Sequence, residues 1–240
     1  MIVTTQLCAR CGSEQVRKNG SSGGRAKYQC KACAFQGYVH PAGPGRAVRY
    51  AQVDKLLVER NSQRSIVRAT GVSRMTVAKL VKKAQLPSTP LPRLRPKKAQ
   101  RRVWEALELD EMWTYVGQRR RKVWLWLAVE RASRRIVAWV LGRRDAATDR
   151  RLWQALPGRY RRHCWYFTDL FPAYVDALPR WRHRRCPKGD GGTSVIEAVN
   201  CSLRQRCGVL VRESCSFSKS LIMHTARIKI VIDNYNLTLT

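Results

Sequence analysis

The sequence predicts a multidomain chain of mixed α+β and α/β architecture, and three features in chain order predict it. Two Cys-x2-Cys pairs open it, three short amphipathic helices around a Gly-Val-Ser turn follow, and the second half alternates apolar strands with helices while carrying widely spaced carboxylates. The boundaries fall at residues 1–45, 46–86, 87–104 and 105–240.

Charge narrows the partners. Lys and Arg number 47 against 16 Asp and Glu, a net of +31 over 240 residues, a field suited to phosphate. Residues 1–104 hold 22 basic and 3 acidic residues, and residues 105–240 hold 25 and 13, so the acids gather in the last part. A merely basic structural protein has no need of such spaced carboxylates. Met1–Leu7 lacks the charged and then apolar order of a targeting segment, and the longest apolar run, Val123–Val129, falls far short of the roughly 20 residues that cross a bilayer. The expectation is a cytoplasmic, nucleoid-associated chain with no membrane partner. Nine cysteines, an odd number in a reducing compartment, point to metal binding and away from a disulfide framework.

Cys8, Cys11, Cys30 and Cys33 form two Cys-x2-Cys pairs separated by eighteen residues, the spacing with which a zinc ribbon gathers four thiolates around Zn2+. Each pair sits in a turn, and residues 27–29 and 35–38 read as short strands beside the second. A segment of ~40 residues buries too little apolar surface to fold unaided, so the metal supplies the folding energy. Arg10, Arg17, Lys18, Arg25, Lys27 and Lys31 make it basic, and Pro41–Gly45 reads as a linker.

Helices are expected over residues 51–59, 63–70 and 74–83. Gly71 takes positive φ to end the second, Val72 plugs the angle and Ser73 caps the third, the pattern of a helix-turn-helix. Val77, Leu80 and Val81 face inward, which leaves Arg74, Lys79, Lys82 and Lys83 on a face suited to a DNA groove. Four prolines among six basic residues between 85 and 102 make an extended basic tether.

Residues 107–116 alternate with period two: Leu107, Leu109, Trp113 and Tyr115 share one face, Glu108, Asp110 and Met112 the other. Val123–Val129 is apolar on both faces and reads as a central strand, and Ile136–Leu141 follows across a polar turn. A helix over 146–156 and a strand over 164–168 complete the order strand, strand, strand, helix, strand, which is that of a ribonuclease H-like core. In that order Asp110 on the first strand and Asp169 at the end of the fourth are neighbours. A helix over 193–211 brings Glu197 near its N-terminus and Arg204 two turns on. Three carboxylates at one spot repel each other unless cations intervene, so the arrangement suits two Mg2+ (or Mn2+) ions about 4 Å apart. Glu108 and Glu111 compete for the first position. Asp145, Asp149 and Asp176 have no comparable rationale. The eight tryptophans read as core, the four histidines lack partners at catalytic spacing, and Cys201, Cys207 and Cys215 match no ligand spacing. Arg159–Arg162 and Arg180–Arg185 read as phosphate contacts, and a final helix after Ser216–Ser220 carries Leu221, Thr225, Ile228, Ile232 and Tyr235 as a stripe.

At residues 109–117 (LDEMWTYVG), 167–174 (FTDLFPAY), Glu197 through Asn200 to Gln205, and 216–220 (SFSKS), the chain resembles the transposases of the insertion sequence 1 family, of the DDE type. The resemblance implies that Asp110, Asp169 and Glu197 are a metal-binding triad and that Arg204 is the basic residue two turns after the glutamate. It further implies an enzyme that binds terminal inverted repeats of double-stranded DNA and carries out Mg2+-dependent cleavage and strand transfer as a homo-oligomer in a synaptic complex. The chain departs from the family in having Ala198 and Val199 after the glutamate, and Leu170-Phe171 in place of Gly-Trp after the second aspartate. A DNA-binding repressor that has lost catalysis is the alternative, with a nuclease lacking strand transfer third.

Overall fold

The computed structural model describes residues 7–38, 45–83, 105–187, 189–213 and 215–239. Residues 41–44 of the linker expected at 41–45, and the tether expected at 87–104, lie outside the described residues. The chain divides into two compact units, up to Arg49 and from Tyr50 onward.

The first unit is an antiparallel sheet of β1 (Val16–Ser22), β2 (Arg25–Cys30) and β3 (Gln36–Tyr38). Among its described residues before the first helix, only Cys8 and Cys30 are buried, so the sheet has no apolar core of its own. Turns bring the cysteines together: Gly12, at φ 70°, donates its N–H to the Cys8 carbonyl at 2.8 Å, and Ala34 takes φ 56° beside Cys33. Cys8 Sγ lies 3.6 Å from Cys33 Sγ, and Cys11 Sγ lies 3.6 Å from Cys30 Sγ.

Helix α1 (Arg46–Leu57) starts five residues earlier than the periodicity suggests: Arg46 to Arg49 are exposed, so their helical turn buries no apolar face, and Tyr50 is the first residue to pack on the core. Helices α2 (Gln63–Thr70) and α3 (Arg74–Lys83) follow. The Ser62 hydroxyl caps α2 by accepting the Ser65 N–H at 3.1 Å, and Gly71 at φ 67° ends it. Val72 is buried in the angle, and Ser73 Oγ accepts the Thr76 N–H at 3.3 Å to cap α3. Val53, Leu57, Ile66, Val72, Val77 and Val81 form the core of this three-helix set.

The larger sheet is built from β4 (Glu105–Tyr115), β5 (Lys122–Glu130), β6 (Ile136–Gly142), β7 (Cys164–Thr168) and β8 (His183–Arg185). Its order is β6-β5-β4-β7-β8: the first three pair antiparallel, and β7 and β8 add on parallel. Helices α4 (Ala146–Ala155), α5 (Gly158–Arg162) and α6 (Tyr174–Ala177) cover one face, where Leu107, Leu109, Trp126 and Ala138 meet Leu152, Tyr160 and Tyr174. Helices α7 (Ser194–Arg206) and α8 (Leu221–Leu237) cover the other, where Met112, Leu125, Leu127 and Val129 meet Ile196, Val199, Leu203, Ile228 and Ile232. The two-sided burial of β5 explains its unbroken apolar run.

Three local expectations shift. The helix expected over 193–211 stops at Arg206, since Gly208–Leu210 tightens into a 3-10 turn that packs on the core. β8 carries only His183, Arg184 and Arg185, a composition without an apolar alternation to read, as suits an edge strand. In α8 Leu221 is exposed, whereas Ala226 of the opposite side joins the core of α1–α3. This last helix is therefore buried on two sides and shows no single stripe. Among the described residues, no helix is long and apolar enough to cross a membrane.

Candidate active site

The ladder between β4 and β7 sets two of the carboxylates side by side. It ends on the pair Glu108 and Phe167, and two residues further along each chain stand Asp110 and Asp169. Asp169 sits in a tight turn in which its Oδ1 accepts the Phe171 N–H at 2.9 Å. The preceding hydroxyl, Thr168 Oγ1, donates to the Asp169 carbonyl at 2.8 Å and lies 2.8 Å from His183 Nε2.

Glu108 has a different task from Asp110 although both point to the α7 side. It is fully buried: Oε1 accepts from Arg131 Nε at 2.7 Å and Oε2 accepts the Ile196 N–H at 2.8 Å, in the first turn of α7. Arg131 also donates to the Gly192 carbonyl at 2.6 Å. A carboxylate aimed at unsatisfied N–H groups of a helix start is favourable, and here it ties α7 to β4 next to Glu197. From that anchor Glu197, Asn200 and Arg204 recur at helical spacing along one stripe of α7. Asn200 Nδ2 donates to Asp110 Oδ2 at 2.6 Å, and Thr193 Oγ1 donates to Glu197 Oε1 at 3.2 Å.

Glu111 also leaves the contest for the first position. On the opposite face of β4 it accepts from Arg144 Nε at 2.8 Å and from the Tyr174 hydroxyl at 2.6 Å, and burial raises its pKa. The Arg144 guanidinium lies 4.0 Å from the Phe171 ring centre and 4.9 Å from that of Trp124.

The result is a cleft of about 280 Å³ lined by Asp110, Glu111, Arg144, Asp169, Cys186, Thr193, Glu197, Asn200, Arg204 and Arg212. The expected set Asp110, Asp169, Glu197 and Arg204 thus meets in one place. Burial, followed by the charges of Glu111, Asp169 and Glu197, pushes the Asp110 carboxyl up to about 7. Burial and then Arg212 pull the Arg204 guanidinium down, and its Nε is buried with no partner among the described residues. An all-oxygen donor set with crowded negative charge fits a hard divalent cation. The three carboxylates stand wider apart than the cysteines: among the described residues, only Cys8, Cys11, Cys30 and Cys33 form a group whose ligand atoms all lie within 4.8 Å of one another. Their four soft sulfur donors suit zinc. The backbone N–H groups of Cys33 and then Ala32 draw the Cys30 thiol down to about 6, toward the thiolate a metal needs.

Arg74, Lys79, Lys82 and Lys83 are exposed along α3. Of the run Arg180–Arg185, Arg182 turns inward, buried under Trp181 and Tyr166. Val199, one of the departures after Glu197, is a core residue. Five cleft residues were not among the candidate site residues of the sequence reading, one of them Thr193 at the start of α7. Asn200 carried a usable signal, its three-residue spacing from Glu197, whereas Arg144, Cys186 and Arg212 reach the cleft from loops that no local pattern marks.

Kinship defines the class of the chain: residues 104–237 match a family model described as IS1 transposase, so it is a transposase. The chain belongs to the IS1 transposase family. It is 39% identical over 117 residues to the insertion element IS1 protein InsB of Shigella flexneri, covering 49% of this chain and 86% of that one. It is 36% identical over 141 residues to the insertion element IS1 4 protein InsB of Escherichia coli (strain K12), covering 56% and 81%. Among solved structures it overlaps a chain of the simian T-cell lymphotropic virus intasome in complex with PP2A regulatory subunit B56 gamma. That overlap has a TM-score of 0.39 and 14% identity, and covers 70% of this chain and 63% of that one.

Proposed function

We propose that this chain cuts and joins DNA at the terminal inverted repeats of its own insertion sequence, through a ribonuclease H-like domain of the DDE type. The observation that carries the reading is the cleft in which Asp110, Asp169 and Glu197 converge from β4, the end of β7 and α7, where burial and then the neighbouring carboxylates push Asp110 up to about 7. The sheet order, with three antiparallel strands followed by two parallel ones and helices on both faces, supports the fold assignment.

Asp110, Asp169 and Glu197 are the oxygen donors for divalent cations, Mg2+ or Mn2+. When bound, these cations activate the attacking oxygen and stabilise the leaving oxygen of the phosphodiester. Arg204, whose Nε has no partner among the described residues, and the exposed Arg212 offer guanidinium groups to the phosphate that enters between the carboxylates. The four cysteines hold a structural zinc, and Arg74, Lys79, Lys82 and Lys83 of the helix-turn-helix grip the ends of the element. Holding two ends at once implies a homo-oligomer in the synaptic complex.

The test is transposition from a donor plasmid carrying the native flanking DNA, with Mg2+, comparing this chain with Asp169→Asn. Movement by the native chain and none by the variant is expected. No movement by either, with end binding retained, would replace this reading with that of a DNA-binding repressor.

A further inference from the structure

Asn200 is the least ordinary residue of the cleft. Its side chain is buried in the middle of α7, where asparagine is a poor helix residue because its amide competes for the backbone. One half of the amide is engaged: Nδ2 donates to Asp110 Oδ2 at 2.6 Å. The other half is not, since Oδ1 is buried without a partner among the described residues. Turning the amide over would set its carbonyl oxygen against a carboxylate oxygen, so the contact with Asp110 dictates the orientation and leaves the acceptor stranded. Packing alone gives no reason to keep such a group, because leucine fills a similar volume on a helix whose next inward residues are Val199 and Leu203.

We propose that Asn200 is a positioning residue for the cation site, which locks the Asp110 carboxylate by donating to its Oδ2 from the stripe of α7 that also bears Glu197. A carboxylate with neither oxygen held rotates away from its charged neighbours. With one oxygen bound to a buried amide on the helix that also bears Glu197, Asp110 and Glu197 hold a common geometry before any cation arrives. Partners that orient a ligand in this way are worth about 10–100-fold in metal affinity. The inference rests on the cation-binding role given to the carboxylates in the preceding subsection.

The experiment titrates Mn2+ into the full chain, zinc retained, and follows free Mn2+ by electron paramagnetic resonance, with thermal unfolding measured on the same samples. Asn200→Leu and Asn200→Ala are compared with the native chain and with Asp169→Asn. The expected result is Mn2+ affinity lower by about 10–100-fold in both Asn200 variants, with the unfolding midpoint of Asn200→Leu close to that of the native chain. Weakened binding in Asp169→Asn together with native affinity in both Asn200 variants overturns the positioning role and leaves the proposed function standing. Native affinity in Asp169→Asn overturns the cation-binding reading itself, and the role of Asn200 with it.

Discussion

Replacing Glu108 with alanine tests whether the tie between β4 and α7 holds the site together. In the native chain the Glu108 carboxylate is fully buried and accepts from Arg131 Nε at 2.7 Å and from the Ile196 N–H at 2.8 Å. Removing one partner of a buried pair costs about 3–5 kcal/mol. The Arg131 side chain is 35% exposed, so water recovers part of its charge and lowers that cost. The stranded Ile196 N–H restores about 1 kcal/mol of it, for a net loss of about 3 kcal/mol. In a cooperative unit of this size each kcal/mol moves the midpoint by about 2–4 °C, which predicts a fall of about 6–12 °C in thermal unfolding followed by circular dichroism. Glu108→Gln keeps an acceptor for the Ile196 N–H but loses the charge and sets its amide NH2 against the Arg131 donor, so it should recover only the Ile196 share, about 1 kcal/mol, of the fall seen in Glu108→Ala. Mn2+ affinity should drop in Glu108→Ala as well, because the freed turn leads directly into Glu197. A fall below about 2 °C in Glu108→Ala, or a larger fall in Glu108→Gln than in Glu108→Ala, refutes the reasoning.

Three further outcomes follow from separate parts of the molecule. Asp149 of α4 is fully buried with both carboxylate oxygens unpartnered among the described residues, and burial, then the charge of Glu111, pushes it up to about 7. Its folded pKa lies above the unfolded one of ~3.9, so its contribution to stability is intact at low pH and is lost as pH rises toward 7. Asp149→Asn removes that loss, so its stability advantage should grow by about 2–3 kcal/mol from pH 5 to pH 8 in urea unfolding, and an advantage independent of pH counts against the argument. Metal analysis of the purified chain should find one zinc per chain, and the convergence of the four sulfurs within 4.8 Å implies that Cys11→Ser loses it; native zinc content in that variant sinks the ribbon. Lys79→Ala and Lys82→Ala should each weaken duplex binding on all sequences and reduce the slope of log affinity against log salt by about 1, and an unchanged slope removes these residues from the phosphate contacts.

Much of this architecture is written in local patterns. Period-two alternation over Leu107–Tyr115, the unbroken apolar run of Val123–Val129 and the Gly71-Val72-Ser73 turn each impose one backbone solution. The strands and helices they mark are the observed ones, to within a few residues. The pairing of Cys8 and Cys11 with Cys30 and Cys33 is legible for the same reason: the Cys-x2-Cys spacing is itself a turn geometry. Because strand order follows from that sequence of elements, the meeting of Asp110, Asp169, Glu197 and Arg204 in one cleft is legible too.

Only the tertiary structure separates carboxylates that the chain presents side by side. Glu108, Asp110 and Glu111 are neighbours in sequence, yet one anchors the start of α7, one opens into the cleft, and one is neutralised by Arg144 and Tyr174. Their fates depend on partners that lie 23 to 88 residues away, Arg131 and Ile196 for Glu108 and Arg144 and Tyr174 for Glu111. The burial of Asp149, the inward turn of Arg182 and the amide of Asn200 on Asp110 have the same origin. Periodicity reports which face of an element a residue occupies, whereas the charge and burial it meets there are set by whichever distant segment packs against that face.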